Sequence, residues 1–454
     1  METTSAPQLT TIKGIELSSL NPAIMQNQAT INIGMIGHVA HGKSTIVRAI
    51  SGVKTVRFKS ELERNITIKL GYANAKIYQC LGGLCQRPEC YLSTASNQKP
   101  PKTCRTKNCT GTITLTRHVS FVDCPGHEVL MDTMLTGAAV MDAAILIVAA
   151  NEPCPQPQTI EHLNAIDVVE LERVIVLQNK VDLLTREQAL ESHDQIKEFI
   201  RDSSARNSPI IPTSAQIGCN LDAILDFIVN YIPVPVRDYT TPPTVQVIRS
   251  FDINKPGCKP SNYQGGVIGG CLTKGYIAAG DLLEIRPGIL EKVDGRLSCR
   301  PVTTKVLSLF AESTRLEVAV PGGLVGIGTE LDPFFCRGDK LVGQVLGRPG
   351  TLPEVYKEMT ITYRFFDKLT AESPLLAKPL AVKEQILVNV GSCSSRAQVT
   401  IAKEKGAISF ILANPICAEV GASVSISRKL RGHWRLIGAG NIRQGRAIPV
   451  LDSK

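Results

Sequence analysis

No apolar run in this chain of 454 residues reaches the roughly 20 residues that a membrane-spanning helix needs. The longest candidate, Ala143-Ala-Ile-Leu-Ile-Val-Ala-Ala150, suits a buried strand of a parallel sheet instead. Met1 to Gln28 is polar and has no basic segment leading into an apolar core, so no secretory signal is expected. These absences imply a cytoplasmic protein without a membrane partner. Periodic repeats and low-complexity tracts are missing, which sets aside a repeat array. Charge of one sign does not dominate. Fifty Lys+Arg against 41 Asp+Glu leave +9, which permits a polyanionic partner such as nucleic acid without requiring one. An oxidised scaffold is not indicated by the 14 cysteines, because five cluster between Cys80 and Cys109 and the others are scattered. Hydrophobic content of 43% with 20% charge is ordinary for a globular protein, and the length calls for two to four domains.

Four guanine-nucleotide elements occur in order. Gly37, His38, Val39, Ala40, His41, Gly42, Lys43 and Ser44 fit the phosphate-loop pattern G-x-x-x-x-G-K-[ST], with Thr45 following. Asp123-Cys-Pro-Gly126-His127 comes next, then Asn179-Lys180-Val-Asp182, then Ser214-Ala215-Gln216. Ile31–Ile36, Val119–Val122 and Val174–Leu177 are short apolar strands feeding the first three. Each motif therefore lies just past the carboxyl end of a strand, where an open α/β sheet places its ligands. Glu187–Phe199 and Leu221–Tyr231 read as helices between them.

The fold class expected is an α/β GTPase domain, a phosphate-loop fold with a mostly parallel sheet, followed by two all-β barrel domains. Residues 1–29 read as a flexible leader and 30–232 as the nucleotide domain, with a cysteine-rich insertion at 78–112. The proline-rich stretch 233–243 reads as a stiff linker. Short apolar stretches separated by Gly, Pro and Asp mark one barrel at 244–353, among them Val245–Phe251, Gly266–Leu272, Asp281–Ile285 and Lys305–Phe310. Gln385–Val390 and Ala397–Ile401 mark a second barrel at 354–454.

The chemistry follows from residue type. Gly37 and Gly42 let backbone N–H groups converge on phosphate, and the following helix adds its positive end. Lys43 is the cation for the β- and γ-phosphates, and Ser44 is the expected Mg²⁺ ligand. Asp123 is expected to hold Mg²⁺ through a water, and Gly126 to offer its N–H to the γ-phosphate. The Asp182 carboxylate matches the two donors on a guanine edge, which adenine lacks. Asn179 is expected to hold the loop, and the Ser214–Gln216 backbone to meet the guanine carbonyl. His127 is placed to orient the attacking water, the part a glutamine plays in other GTPases.

Two cysteine pairs, Cys80-x₄-Cys85 and Cys104-x₄-Cys109, offer four thiolates for a tetrahedral Zn²⁺ knuckle. Matching spacings favour that set, with Cys90 spare. Cys85, Cys90, Cys104 and Cys109 would satisfy the same chemistry, and free thiols in a solvated insertion remain the alternative.

Glu63-Arg64-Asn65-Ile66-Thr67-Ile68-Lys69-Leu70-Gly71-Tyr72 resembles switch 1 of translational GTPases, and most closely the gamma-subunit family of eukaryotic and archaeal translation initiation factor 2. Phe121–His127, Asn151–Thr159, Val247–Gly257 and His433–Gly438 are similar to the same family, so the resemblance runs from about residue 30 to the C-terminus. It implies a fold like that of elongation factor Tu. It implies that switch 1 includes Asn65, Ile66 and Thr67, that Thr67 ligates Mg²⁺ and senses the γ-phosphate, and that Val39 and Ile66 gate His127. The archaeal relatives carry a four-cysteine knuckle at the same place. The family implies GTP and GDP as ligands and methionyl initiator tRNA as cargo for the small ribosomal subunit. Its further partners are alpha and beta subunits, a GTPase-activating factor and a nucleotide-exchange factor, with slow intrinsic hydrolysis. Ala40 stands where elongation factors have Asp, a departure shared by eukaryotic members of the family. Two alternatives are an elongation-type, selenocysteine-specific factor and a scaffold whose nucleotide never turns over. Near the C-terminus Arg428, Lys429, Arg431, Arg435, Arg443 and Arg446 fit tRNA phosphates, a solvated barrel face or a protein interface equally well.

Overall fold

A computed structural model describes residues 11–12, 14–55, 61, 67–171, 173–255, 257, 259, 263–366, 378–403, 406–430, 432–452. Asn65, Ile66 and Arg431 lie outside these described residues.

The nucleotide domain is a seven-stranded sheet. Its strands are β1 (Ile31–Ile36), β2 (Gly71–Cys80), β3 (Tyr91–Ala95), β4 (Ile113–Asp123), β5 (Ala143–Ala149), β6 (Val174–Asn179) and β7 (Ile210–Pro212), in the order β3-β2-β4-β1-β5-β6-β7. The run β4-β1-β5-β6-β7 is parallel, and β2 and β3 add an antiparallel edge. Every residue of β1, β5 and β6 is buried, as expected of mainly apolar parallel strands whose two faces are both covered. The helices are α1 (Pro22–Asn27), α2 (Lys43–Ser51), α3 (Met131–Ala138), α4 (Pro157–Val169), α5 (Arg186–Ile200) and α6 (Leu221–Asn230). Thr185 and Gln188 form a reciprocal capping box that starts α5.

Two barrels follow. The first closes through β8 (Thr244–Phe251), β9 (Val267–Lys274), β10 (Leu282–Val293), β11 (Arg296–Ala311), β12 (Leu324–Thr329) and β13 (Val345–Gly347), paired in the cycle β10-β13-β8-β9-β12-β11. The second closes through β14 (Val355–Phe365), β15 (Gln385–Val390), β16 (Cys393–Lys403), β17 (Ala407–Cys417), β18 (Ser423–Leu430) and β19 (His433–Ala447), in the cycle β14-β17-β16-β15-β18-β19. Each barrel has its own buried cluster, with Val247, Leu283 and Ile327 in the first and Ile361, Val388 and Phe410 in the second.

The expected leader behaves differently from a flexible segment over its described part. Asn21 caps α1, and Leu17, Ile24 and Met25 are buried. Gln28 donates to Val320 O at 2.6 Å and accepts from Val320 N at 3.1 Å, so its amide acts like an extra strand residue for the first barrel. His118 in β4 bonds Met25 O at 2.7 Å through Nδ1. The leader's polar sequence hides these anchors because each is a single residue. The proline-rich linker is anchored as well: Arg237 meets Asp142 at 2.6 Å, and the Tyr239 hydroxyl bonds Ser19 at 2.7 Å.

Candidate nucleotide site and cysteine knuckle

The loop between β1 and α2 turns because Gly37 and Gly42 adopt φ of 138° and 98°. A Cβ at Gly37 would collide with Ile147 O, and one at Gly42 with the Asn179 amide. Ala40 takes φ 61°, a left-handed conformation that strains an alanine. Two side chains outside the motif, His162 and Glu152, help fix the loop. His162 on α4 accepts the Gly37 N–H at Nδ1, 2.9 Å away. Burial pulls its pKa down to about 3, so the ring stays neutral and able to accept. His41 sits between Ile147 O at 3.1 Å and Glu152 at 3.3 Å, and burial lowers it to about 4. Glu152 also faces Lys180 at 3.7 Å. Neither His162 nor Glu152 belongs to any nucleotide motif, although Glu152 lies in the Asn151–Thr159 stretch.

Lys43 Nζ donates to Gly37 O at 2.9 Å and to His38 O at 2.7 Å, and burial lowers its pKa to about 8. A Cβ on Gly126 would come within 2.5 Å of that same nitrogen, so the Asp123–His127 loop lies directly on the phosphate loop. His127 is exposed, with Nδ1 accepting from Val129 N at 3.3 Å. Ser44 and Thr67 bring their hydroxyls to 3.3 Å of each other. Asp123 is wholly buried. Its Oδ2 accepts from Thr55 at 2.5 Å, while Oδ1 has no hydrogen-bond partner among the described residues. Burial raises the Asp123 pKa. A buried carboxylate oxygen left bare beside two clustered hydroxyls fits a hard cation such as Mg²⁺.

Asn179 is buried and bridges two loops, donating to His41 O at 2.8 Å and accepting from Ala215 N at 3.3 Å. Lys180 has φ 66°. Asp182 and Gln216 are exposed, and Ser214 is buried. Through Asn179 the Asn179–Asp182 and Ser214–Gln216 stretches are thus tied beside the phosphate loop. The switch 1 tail is fixed by residues that carry no motif. Glu61 accepts the N–H groups of Ile68 and Lys69, each at 3.0 Å. Lys69 Nζ meets Asp339 of the first barrel at 2.8 Å, and Asp339 also accepts from Arg249 at 3.0 Å and Ser250 N at 3.1 Å.

In the insertion, one ligand atom from each of Cys80, Cys85, Cys104 and Cys109 lies within 4.8 Å of the other three. A tetrahedral zinc site with bonds of about 2.3 Å needs sulfur separations of roughly 3.8 Å, so these four thiols fit the ion. Cys90 is not in this group. Its thiol lies in the apolar cluster with Tyr91 and Ile77. Two glycines let the loops close: a Cβ at Gly82 would stand 2.5 Å from Cys109 Sγ, and one at Gly111 would stand 2.7 Å from Cys80 Sγ. Cys85 beside Cys104 lowers the Cys104 pKa to about 7, which favours a thiolate.

Of the C-terminal basic residues, two turn inward. Arg428 is bound to Glu384 at 2.6 Å and to Lys378 O at 2.9 Å, and Arg435 pairs with the buried Glu161 of α4. Lys429, Arg443 and Arg446 are exposed.

This arrangement is that of a translational GTPase. Residues 28–234 match the elongation factor Tu GTP binding domain, and residues 357–442 match the C-terminal domain of initiation factor eIF2 gamma. The chain is 51% identical over 447 residues to eukaryotic translation initiation factor 2 subunit 3 of Drosophila melanogaster, covering 97% of this chain and 94% of that one. It is 54% identical over 432 residues to the gamma subunit of Encephalitozoon cuniculi, with 95% and 97% covered. Against the gamma subunit of Schizosaccharomyces pombe it is 53% identical over 441 residues, with 96% and 98% covered. The chain belongs to the gamma-subunit family of eukaryotic translation initiation factor 2, and it is a translation initiation GTPase whose ligands are GTP, GDP and Mg²⁺. Two solved structures share its fold. Bacterial selenocysteine-specific elongation factor EF-Sec has a TM-score of 0.67 at 19% identity, covering 91% of this chain and 58% of that one. Translation elongation factor SelB of Methanococcus maripaludis, bound to a GTP analogue, has 0.67 at 21% identity, covering 93% and 80%. No described helix is long and apolar enough to cross a membrane.

Proposed function

We propose that this chain is the subunit that binds methionyl initiator tRNA in its GTP state and delivers it to the small ribosomal subunit. In this reading it works in the cytoplasm with alpha and beta subunits, an activating factor and an exchange factor. The observation that carries the proposal is a cavity of about 1230 Å³ between β2 of the nucleotide domain and the first barrel. Tyr72, Phe251, Ile253, Tyr263 and Phe310 give it apolar walls, with Asn74, Gln264 and Glu312 as polar groups. Such a lining suits a stacked base and an apolar aminoacyl side chain. Tyr72 follows the switch 1 tail directly, and Lys69 is tied to Asp339 of the barrel, so a change at Thr67 is felt at the cavity wall.

In the hydrolytic step a water oxygen bonds to the γ-phosphorus as the bond to the β-bridging oxygen breaks, leaving GDP and phosphate. His127 orients that water. Lys43 and the Gly126 N–H hold the γ-phosphate oxygens. Asp182 reads the guanine edge, and the Ser214–Gln216 backbone meets its carbonyl. Ser44, Thr67 and Asp123, the last through water, are the residues that would hold Mg²⁺, which neutralises phosphate charge when bound. Cys80, Cys85, Cys104 and Cys109 would hold a structural zinc, since four thiolates leave no open position.

Methionyl initiator tRNA binding to the factor with its partner subunits, loaded with GTP or with GDP, tests the assignment. Much tighter binding with GTP is expected, and equal affinity would overturn it. Single-turnover hydrolysis with the activating factor tests His127: His127→Ala should slow it by about 100-fold or more, and an unchanged rate removes the role.

A further inference from the structure

We infer that the sheet edge carrying the cysteine knuckle is a phosphate track for the body of the same tRNA whose charged end fits the cavity, an inference that rests on the tRNA assignment above. Between Cys90 and Val122 the chain contains no Asp or Glu. Lys99, Lys102, Arg105 and Lys107 lie in this stretch, all exposed, and none forms an ion pair among the described residues. In a chain of near-balanced charge, four neighbouring cations without carboxylates call for an external anion.

The path of the chain lays these cations out in a line. β3 pairs with β2 so that Tyr91 faces Gln79 and Ala95 faces Ala75. Asn97, two residues beyond β3, lines the cavity with Tyr72 and Asn74. Cys104 lies in the knuckle beside Cys80, at the other end of β2. Residues 97–104 therefore run back along the sheet edge from the cavity to the knuckle. That distance matches the span from Ala75 to Cys80, about 17 Å at about 3.3 Å per residue. Lys99 stands at the cavity end and Arg105 and Lys107 at the knuckle end. Over this length a helical nucleic acid presents several phosphates.

The track is rigid. Pro100 and Pro101 restrict the return path, and four thiols gather its far end. Arg87 bonds Asp226 of α6 at 2.7 and 3.1 Å, and the Tyr91 hydroxyl accepts from Asn230 at 2.9 Å. Preset cations bind with less loss of side-chain freedom. The stretch offers Thr, Asn and Gln beside its cations, and its aromatic residues Tyr91 and Phe121 are buried. It suits backbone phosphates of a duplex and not base stacking, so it adds affinity without sequence choice.

The test is the salt dependence of methionyl initiator tRNA binding to the complete GTP-loaded factor, comparing the parent with K99Q/K102Q/R105Q/K107Q. The slope of log affinity against log salt should become shallower by about 3.6. At about 100 mM salt affinity should fall about 10- to 100-fold, with the preference for charged over uncharged tRNA unchanged. Each single substitution should remove about one unit of slope, and the Lys→Arg versions should remove none. Zinc content equal to the parent's shows that the knuckle is intact. An unchanged slope, with GTP-dependent binding retained by the parent, overturns the track alone. So does an unchanged tRNA slope accompanied by weaker binding to ribosomal subunits or to an acidic partner protein. A parent that binds tRNA equally with GDP and GTP overturns the underlying assignment, and the track with it.

Discussion

Phe366, Leu436 and Ala439 of the second barrel join the same buried cluster as Val122, Leu146 and Ile166 of the nucleotide domain. The first barrel meets that domain through different chemistry. Lys69 reaches Asp339, Asn74 N donates to Glu312 at 2.8 Å, and Asn32 donates to Gly322 O at 2.7 Å. Its apolar contact is small, centred on Val140, Ile248 and Cys271. A large cavity opens beside this polar joint. The second joint combines this apolar packing with the buried Arg435–Glu161 pair and a hydrogen bond from Asn389 to Asp132. The first joint draws polar contacts directly from Lys69 and Asn74, within and just after the stretch that resembles switch 1. The same GTPase core thus meets one barrel mainly through a large apolar cluster and the other mainly through polar contacts; we propose that the polar joint acts as a hinge.

The sharpest way to break this contrast is Glu161→Ala. It leaves Arg435 without its carboxylate inside the second joint, and a loss of about 3 to 5 kcal/mol in denaturant unfolding is expected. Glu161→Leu with Arg435→Met should cost far less, since apolar groups then fill a dry joint. A small loss for Glu161→Ala would mean that water already enters there.

Acid probes the leader clamp on the first barrel's side. Burial holds His118 at about 4, below its unfolded value near 6.5. Between these values the unfolded chain binds the extra proton, so stability present above pH 6.5 is lost as the pH falls towards 4. This group alone should contribute about 3 kcal/mol of that loss, and His118→Gln should flatten the stability–pH curve. Gln28→Ala strips both bonds to Val320 and should cost about 2 kcal/mol in thermal unfolding. Asp339→Asn should cost only about 1 kcal/mol, because Lys69 is 47% exposed. It should nonetheless reduce the GTP-over-GDP preference in tRNA binding, and an unchanged preference would remove Asp339 from the hinge.

Elements buried on both faces were legible in the sequence. Ala143–Ala149 reads as a strand because nothing polar interrupts it, and Ile31–Ile36 because its single polar residue, Asn32, lies within an otherwise apolar run before a glycine loop. Barrel strands were read short. Asp281–Ile285 continues to Val293 and Lys305–Phe310 begins at Arg296, because alternating exposure weakens an apolar run. Cysteine spacing allowed two ligand sets. Backbone pairing separates them, since Cys80 N donates to Cys90 O and Cys90 joins the core. His162, Glu61, Asp339 and the inward turn of Arg435 left no local trace. Lys69 and Asp339 are 270 residues apart, and such a pairing follows from the fold, not from a motif.

The Asn179 side chain spans from His41 O to Ala215 N, so a single carboxamide joins the loop proposed to cradle the phosphates to the loop proposed to rim the base. On the proposed assignment, that bridge would couple the identity of the nucleotide to its reactivity. A triphosphate with the wrong ring would leave the rim slack, and the slack would pass through that amide to the atoms that undergo chemistry. Discrimination would then show in turnover as well as in occupancy, a second check that operates after the ligand has already bound.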